Sequence, residues 1–148
     1  MQVISFPITS EVILSFEDAN DKRFVLLLKN IGDGWHLPFT FMGENETALE
    51  AAQRVVREKV NLNIDKNGLD FLNIYDNPKR IPKARRIATA YFHFLDEVNS
   101  ILVAKNVAFK TKRAWFYVDE LPKLPFDHGQ MIEDFLKQQY PLQYSFEK

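Results

Sequence analysis

Residues 40–62, TFMGENETALEAAQRVVREKVNL, decide the reading of this chain. Thr47 is followed three residues later by Glu50. In this capping-box pattern the hydroxyl accepts from a backbone N–H in the first turn and the carboxylate reaches back to the cap. It predicts a helix over 48–60, with Leu49, Ala52, Val56 and Val60 on one apolar stripe. Asn61 follows, and Asn is the best substitute for Gly where a helix ends in the left-handed conformation.

Strand-like and helix-like patterns alternate outward from this helix, as in a mixed α/β domain. Residues 12–16 read as a strand, followed by a turn at Asp18, Asn20 and Asp21. Residues 23–29 form a second strand, whose unbroken run FVLLL predicts a central position buried on both faces. A turn over 31–34 leads through Trp35-His-Leu-Pro38 into a short strand over 39–42. After the helix, residues 69–75 read as a strand and 76–83, with two prolines, as a loop. Residues 86–95, RRIATAYFHFL without its first arginine, form a strong strand rich in β-branched and aromatic residues. Further strands are expected over 107–109 and 114–118. A Leu-Pro-rich breaker spans 121–125. A last helix follows, capped by Asp127 with Gln130, with Met131, Ile132, Phe135 and Leu136 on its apolar face. The short aromatic tail after Pro141 (Tyr144, Phe146) is expected to pack back on the domain or against a second copy, so a homodimer is a candidate assembly.

At 148 residues the chain is expected to be one domain, 1–148, with a core large enough to fold without staples. There is no Cys, which removes disulfides and thiolate chemistry. The first ten residues lack a signal-peptide pattern, and no apolar run is long enough to span a bilayer. The expectation is a soluble cytoplasmic protein with no membrane partner. The formal net charge of -1 gives no global attraction to nucleic acid.

The element order and the 40–62 stretch resemble a Nudix domain. The family box is G-x5-E-x7-R-E-U-x-E-E-x-G-U, where U is a bulky aliphatic. With its first Glu on Glu46, its Arg falls on Arg54, its aliphatics on Val56 and Leu62, and one of the closing Glu pair on Glu58. The other positions differ: Thr40 for the first Gly, Val55 for the Glu after Arg, Lys59 for the second closing Glu, Asn61 for the last Gly. The resemblance implies an α/β/α sandwich, with a mixed sheet between the box helix and a C-terminal helix. It also implies that Glu46 and Arg54 are a scaffold pair, and that Mg²⁺ or Mn²⁺ would be held by the carboxylates at 55, 58 and 59. One of the three is present here. A hard divalent cation asks for several oxygen ligands. The pattern therefore reads as a fold kept and a metal shell lost.

A second segment, Asn77-Pro-Lys-Arg-Ile-Pro-Lys-Ala-Arg-Arg-Ile-Ala-Thr-Ala-Tyr91, is similar to the RDPR…V-x-AY segment of ADP-ribose-pyrophosphatase-like Nudix domains. Leu121-Pro-x-Leu-Pro-Phe-Asp-His128 resembles the LP-x-LAFDH run of the Nudix-related regulators of NAD metabolism (the NrtR type). Those regulators carry a winged helix-turn-helix after the Nudix domain. This chain ends some 20 residues after His128, so no such domain and no nucleic-acid partner are expected.

The candidate site residues follow. Glu58 is the remnant of the metal carboxylates, or an exposed helix Glu in an ion pair. Lys59 is a point charge able to contact a diphosphate, or a solvated Lys favoured at a helix C-terminus. Lys79, Arg80, Lys83, Arg85 and Arg86 form the densest basic cluster, and Arg forks suit phosphate. Arg80, Arg85 and Arg86 are therefore expected to hold phosphates. Lys110, Lys112 and Arg113 read as a charged surface hairpin, and Asp96-Glu97 as a turn. His36, His93 and His128 are too scattered for a metal motif. Trp35, Tyr91, Trp115 and Tyr117 read mainly as core.

The leading expectation is a Nudix-fold protein that binds a small phosphorylated, ADP-ribose-like ligand with weak or no hydrolysis. It needs no cofactor. Two alternatives stay open. One is an active hydrolase using Mg²⁺ or Mn²⁺ on an altered shell of Glu44, Glu46 and Glu58. The other is a pure interaction module.

Overall fold

The computed structural model describes residues 1–30, 32–105 and 111–144. Ile31, the strand expected over 107–109, Lys110 and Phe146 lie outside the described residues. The strands are β1 (Ile8–Glu17), β2 (Arg23–Asn30), β3 (Trp35–His36), β4 (Phe39–Phe41), β5 (Asp70–Tyr75), β6 (Ile87–Phe94) and β7 (Thr111–Tyr117). The helices are α1 (Ala48–Val60), α2 (Glu97–Lys105), α3 (His128–Gln139) and the single turn α4 (Pro141–Tyr144).

Strand β1 organises the sheet. On one side it runs parallel to β6 from Ile8 opposite Ile87 to Ser15 opposite Phe94. On its other side it has two antiparallel neighbours in succession. Thr9, Ser10 and Glu11 pair with Phe41, Thr40 and Phe39 of β4, and Ser15, Phe16 and Glu17 pair with Val25, Phe24 and Arg23 of β2. Between these stretches β2 and β4 diverge, and β2 continues instead against β7 on its far side and β3 on its near side. This divergence creates the cleft described below.

Side chains alternate across a strand. Ile13, Val25, Leu27 and Phe92 pack on one face against Met131, Ile132, Phe135 and Leu136 of α3. Val12, Leu14, Leu26, Leu28 and Tyr91 pack on the other against Ala52, Val55, Val56 and Val60 of α1. The sheet is thus enclosed in an α/β/α sandwich, and Val25–Leu28 is buried on both faces as FVLLL predicts. Each such side chain contributes about 1.5–3 kcal/mol by leaving water.

Helix α1 begins and ends where the sequence places it. Thr47 accepts from Glu50 N–H, and Glu50 accepts from Thr47 N–H. Asn61 ends the helix at φ 59°, ψ 41°. The N-cap reading of Asp127 needs correction. It precedes α3 but makes no side-chain capping bond, because Arg80 takes its carboxylate.

Two further readings are overturned. Asp96-Glu97 is not merely a turn: it opens helix α2, with Asp96 Oδ1 accepting from Asn99 N–H at 2.7 Å. Arg113 is not on a charged surface. It is buried, and its Nη1 donates to Val60 O at 2.8 Å and Val103 O at 3.4 Å. These are carbonyls near the C-terminal ends of α1 and α2, groups that lack intrahelical partners. A guanidinium answers both their hydrogen-bonding need and their negative dipole end. The tail packs back through α4, where Arg23 Nη1 donates to Gln143 Oε1 at 2.5 Å and the guanidinium lies 5.9 Å from the Tyr144 ring centre. Among the described residues no helix is long and apolar enough to cross a membrane.

Candidate functional site

The loop before α1 is tied to the helix by one guanidinium. Arg54 donates from Nε to Glu46 Oε1 at 3.1 Å and from Nη2 to Glu46 Oε2 at 2.8 Å. It also donates to Phe41 O at 2.8 Å, and reaches Thr40 Oγ1 and Glu58 Oε1 at 3.5 and 3.3 Å. Glu46 Oε2 accepts the Gly43 N–H at 2.7 Å. The Arg54 bonds and then the Gly43 bond hold the Glu46 carboxyl below its ordinary pKa.

The three positions where the family box carries metal-binding carboxylates point different ways. Val55 is buried in the core. Glu58 faces Arg54. Lys59 lines a cleft. Among the described residues no three His, Cys, Asp or Glu side chains are grouped so as to hold a metal ion.

The cleft has a volume of about 470 Å³ and lies where β2 and β4 part. Its wall includes Leu28, His36, Phe39, Phe41, Lys59 and Phe126. A concave, largely apolar pocket with a few polar groups is the usual form of a small-molecule site. Lys59 makes no ion pair among the described residues. The Nδ1–H of His36 donates to Leu37 O at 2.8 Å, which leaves Nε2 as its second polar atom. Burial lowers the His36 pKa, outweighing its bond to Leu37, and the positive charge of Lys59 lowers it further.

Arg86 belongs to the same region. Its guanidinium lies 5.1 Å from the Phe41 ring centre and 5.7 Å from that of Phe126, two rings that line the cleft. Phe126 is held at φ 53° in the turn closed by His128 N–H to Pro125 O. Positive φ at the second residue of such a turn normally falls to Gly. For a bulky residue this costs about 1–3 kcal/mol, and the surroundings must impose it.

A buried polar cluster supplies that constraint. Arg80, its side chain only 2% exposed, donates from Nε and Nη2 to the two Asp127 oxygens at 2.8 and 2.6 Å. Its Nη2 also lies 3.9 Å from Glu11 of β1. The Leu37 N–H donates to His128 Nδ1 at 3.1 Å, so the proton of the neutral ring sits on Nε2, which faces Glu11 Oε2 at 3.4 Å. Thr9 donates to the other Glu11 oxygen at 2.9 Å. The two residues after Phe126 are therefore tied to the sheet through Arg80, Leu37 and Glu11.

The four cations expected to hold phosphate are not gathered together. Lys59 lines the cleft, and Arg86 lies over two of its rings. Arg80 lies in the interior with Asp127. Arg85 donates to Asp76 O at 3.1 Å and lies 5.0 Å from the Phe6 ring. Sequence reasoning missed Glu11, Phe41 and Phe126, and took Asp127 for a helix cap only. Glu11 did carry a signal: it is the one acid inside the run ITSEVILSF, and an acid buried in a strand requires a partner. Nothing distinguished Phe41 and Phe126 among 13 Phe.

With this geometry in view, the family can be assigned. The family model for the NUDIX domain matches residues 10–135. The chain belongs to the Nudix family. An ADP-ribose pyrophosphatase from Methanocaldococcus jannaschii is 32% identical over 101 residues, which are 68% of this chain and 56% of that protein. This Nudix chain thus matches little more than half the length of that relative. A mutT/nudix family protein from Listeria innocua superposes with a TM-score of 0.76 at 25% identity, covering 93% of this chain and 96% of that one. The Nudix domain of Shewanella oneidensis NrtR, in a cocrystal structure with ADP ribose, superposes with a TM-score of 0.73 over 93% of this chain and 90% of that one. At 18% identity this last likeness establishes the fold alone.

Proposed function

We propose that this Nudix domain, spanning the chain as one unit, binds an ADP-ribose-like nucleoside-diphosphate-linked ligand in the β2–β4 cleft and hydrolyses it weakly or not at all. The observation that carries this reading is Lys59. It lines the cleft without an acidic partner among the described residues, at a box position where the family has a metal-binding Glu. An ammonium is a compact charge that can meet a diphosphate directly. Arg86, over the Phe41 and Phe126 rings, adds a second cation at the cleft, whereas Arg85 bonds Asp76 O. Arg80 supports the wall from behind. The ligand class is suggested by the activity named for the archaeal relative and by the ligand in the NrtR cocrystal structure.

The donors at positions 55, 58 and 59 do not suit Mg²⁺ or Mn²⁺. A hard divalent cation asks for several oxygen ligands. Here the helix offers a buried Val, an ammonium and a carboxylate facing Arg54. An altered shell of Glu44, Glu46 and Glu58 would have to draw two of its three carboxylates away from Arg54.

The reading is tested by thermal shift with ADP-ribose, NAD and sugar phosphates, alongside a hydrolysis assay in Mg²⁺ and Mn²⁺. A rise in Tm with a diphosphate ligand and no metal-dependent turnover supports it. Turnover that disappears in Glu58→Ala would establish an active hydrolase instead. No shift with any ligand would leave the interaction module.

A further inference from the structure

We infer that Phe126, Phe41 and Arg86 form a stacking platform for the planar heteroaromatic ring of the ligand, and that Phe126 is a specificity-determining residue held in a strained backbone for that purpose. This rests on the binding function proposed above and assigns the ring-bearing end of the ligand to one side of the cleft.

The first observation is backbone strain without a backbone use. Phe126 stands at φ 53° where Gly would relax the turn. Its ring meets buried His128 edge-on at 5.8 Å between ring centres, but it does not fill the core. The residue is 42% exposed and lines the cleft. A strained residue with a solvent-facing side chain points to a use for the side chain.

The second observation is a second exposed ring in the same cleft. Phe41, at the end of β4, is 46% exposed and lines the same cleft. Between them Arg86 lies over both rings and meets no carboxylate among the described residues. Two exposed aromatic faces joined by a guanidinium offer an extended π and cation surface. Such a surface accepts any flat nitrogen heterocycle. A purine laid on it would leave its attached diphosphate free to run along the cleft toward Lys59.

The third observation is the device that holds the platform. Asp127 is clamped by Arg80 and His128 is bonded to Leu37 and Glu11, so the two residues after Phe126 cannot relax the turn. The cluster meets the cleft wall through His128, which packs edge-on against Phe39 and Phe126 at 5.6 and 5.8 Å between ring centres. Its members are positioning residues.

The test compares ADP with inorganic pyrophosphate by titration calorimetry on the full chain, in wild type, Phe126→Gly and Phe41→Ala. ADP should bind the wild type more tightly than pyrophosphate. Both variants should lose about tenfold in ADP affinity, in line with stacking of one base, while pyrophosphate affinity changes by less than about twofold. Phe126→Gly should also keep or raise Tm, because it removes the positive-φ strain, which a core Phe would not do. Equal loss for both ligands, or no loss for either, overturns the platform. So does a fall in Tm with unchanged ADP affinity. If the wild type binds pyrophosphate and ADP equally, the platform fails while the phosphate contact stands. If it binds neither, both proposals fail.

Discussion

Arg80 and Lys59 are both cations close to the same cleft wall, and the structure uses them in opposite ways. Arg80 is withdrawn from water and bound through two parallel hydrogen bonds to Asp127, with Glu11 nearby. Lys59 lines an open cleft without an ion pair among the described residues. A buried charge is tolerated only when paired, and its removal strands its partner. An unpaired exposed charge contributes little to folding and is available to an anion. The difference teaches that a basic cluster in sequence is not a binding site until the acids around it are counted. Residues 79–86 hold five cations, of which Arg86 reaches the cleft rings and Arg80 serves the fold.

The largest expected effect falls on the structural side of this comparison. Arg80→Ala should cost about 3–5 kcal/mol, because it leaves Asp127 and Glu11 without their cation. Denaturant unfolding measures it. If Arg80→Ala unfolds like the wild type but no longer binds ligand, the division of labour drawn here is wrong. A smaller effect is expected from Val55→Glu with Lys59→Glu. It places a carboxylate where α1 packs on the sheet and should lower stability by about 1–3 kcal/mol. Mn²⁺ should then raise the Tm of this variant by binding its folded form. A folded variant indifferent to Mn²⁺ would show that the family box is misaligned on α1.

Lys59→Ala should leave stability within about 0.5 kcal/mol and weaken a diphosphate ligand by about tenfold, read by calorimetry. The smallest effect concerns the loop before α1. The folded-state pKa of Glu46 is lowered by Arg54. Its stabilisation is therefore complete above the ordinary carboxylate pKa and is lost as pH falls through the lowered value. Glu46→Gln should cost about 0.5–1 kcal/mol near neutral pH, in keeping with a partly exposed pair. The cost should shrink below about pH 4. An undiminished cost at acid pH would mean that the charge of Glu46 is not what holds the loop.

What the sequence made legible was local. The ends of α1 were readable to the residue because Thr47, Glu50 and Asn61 act within one turn of the helix. The FVLLL run announced its own burial. Helix α2 was not readable. Val98, Ile101 and Leu102 remain exposed, so the periodicity that marks a buried face is missing, and only the Asp96 cap identifies its start. Arg113 was read as a surface charge and Arg80 as a phosphate contact because their partners lie far away in sequence, at Val60 and Val103 for one and at Asp127 for the other. Asp127 failed as a cap for the same reason: a distant guanidinium competes better for its carboxylate than the local backbone does. The candidate site was legible only in part. Lys59 and Arg86 stood out by charge, whereas Phe41 and Phe126 became distinct only through exposure and backbone geometry.

The central claim is that Lys59 takes the place of a divalent cation in holding the ligand's diphosphate. It is tested most directly by calorimetric titration of ADP-ribose into wild type and Lys59→Ala, each in EDTA and in Mg²⁺. The account predicts the same affinity for the wild type in both buffers and an affinity about tenfold lower for the variant in both. Binding by the wild type that requires Mg²⁺ and is untouched by Lys59→Ala would contradict it.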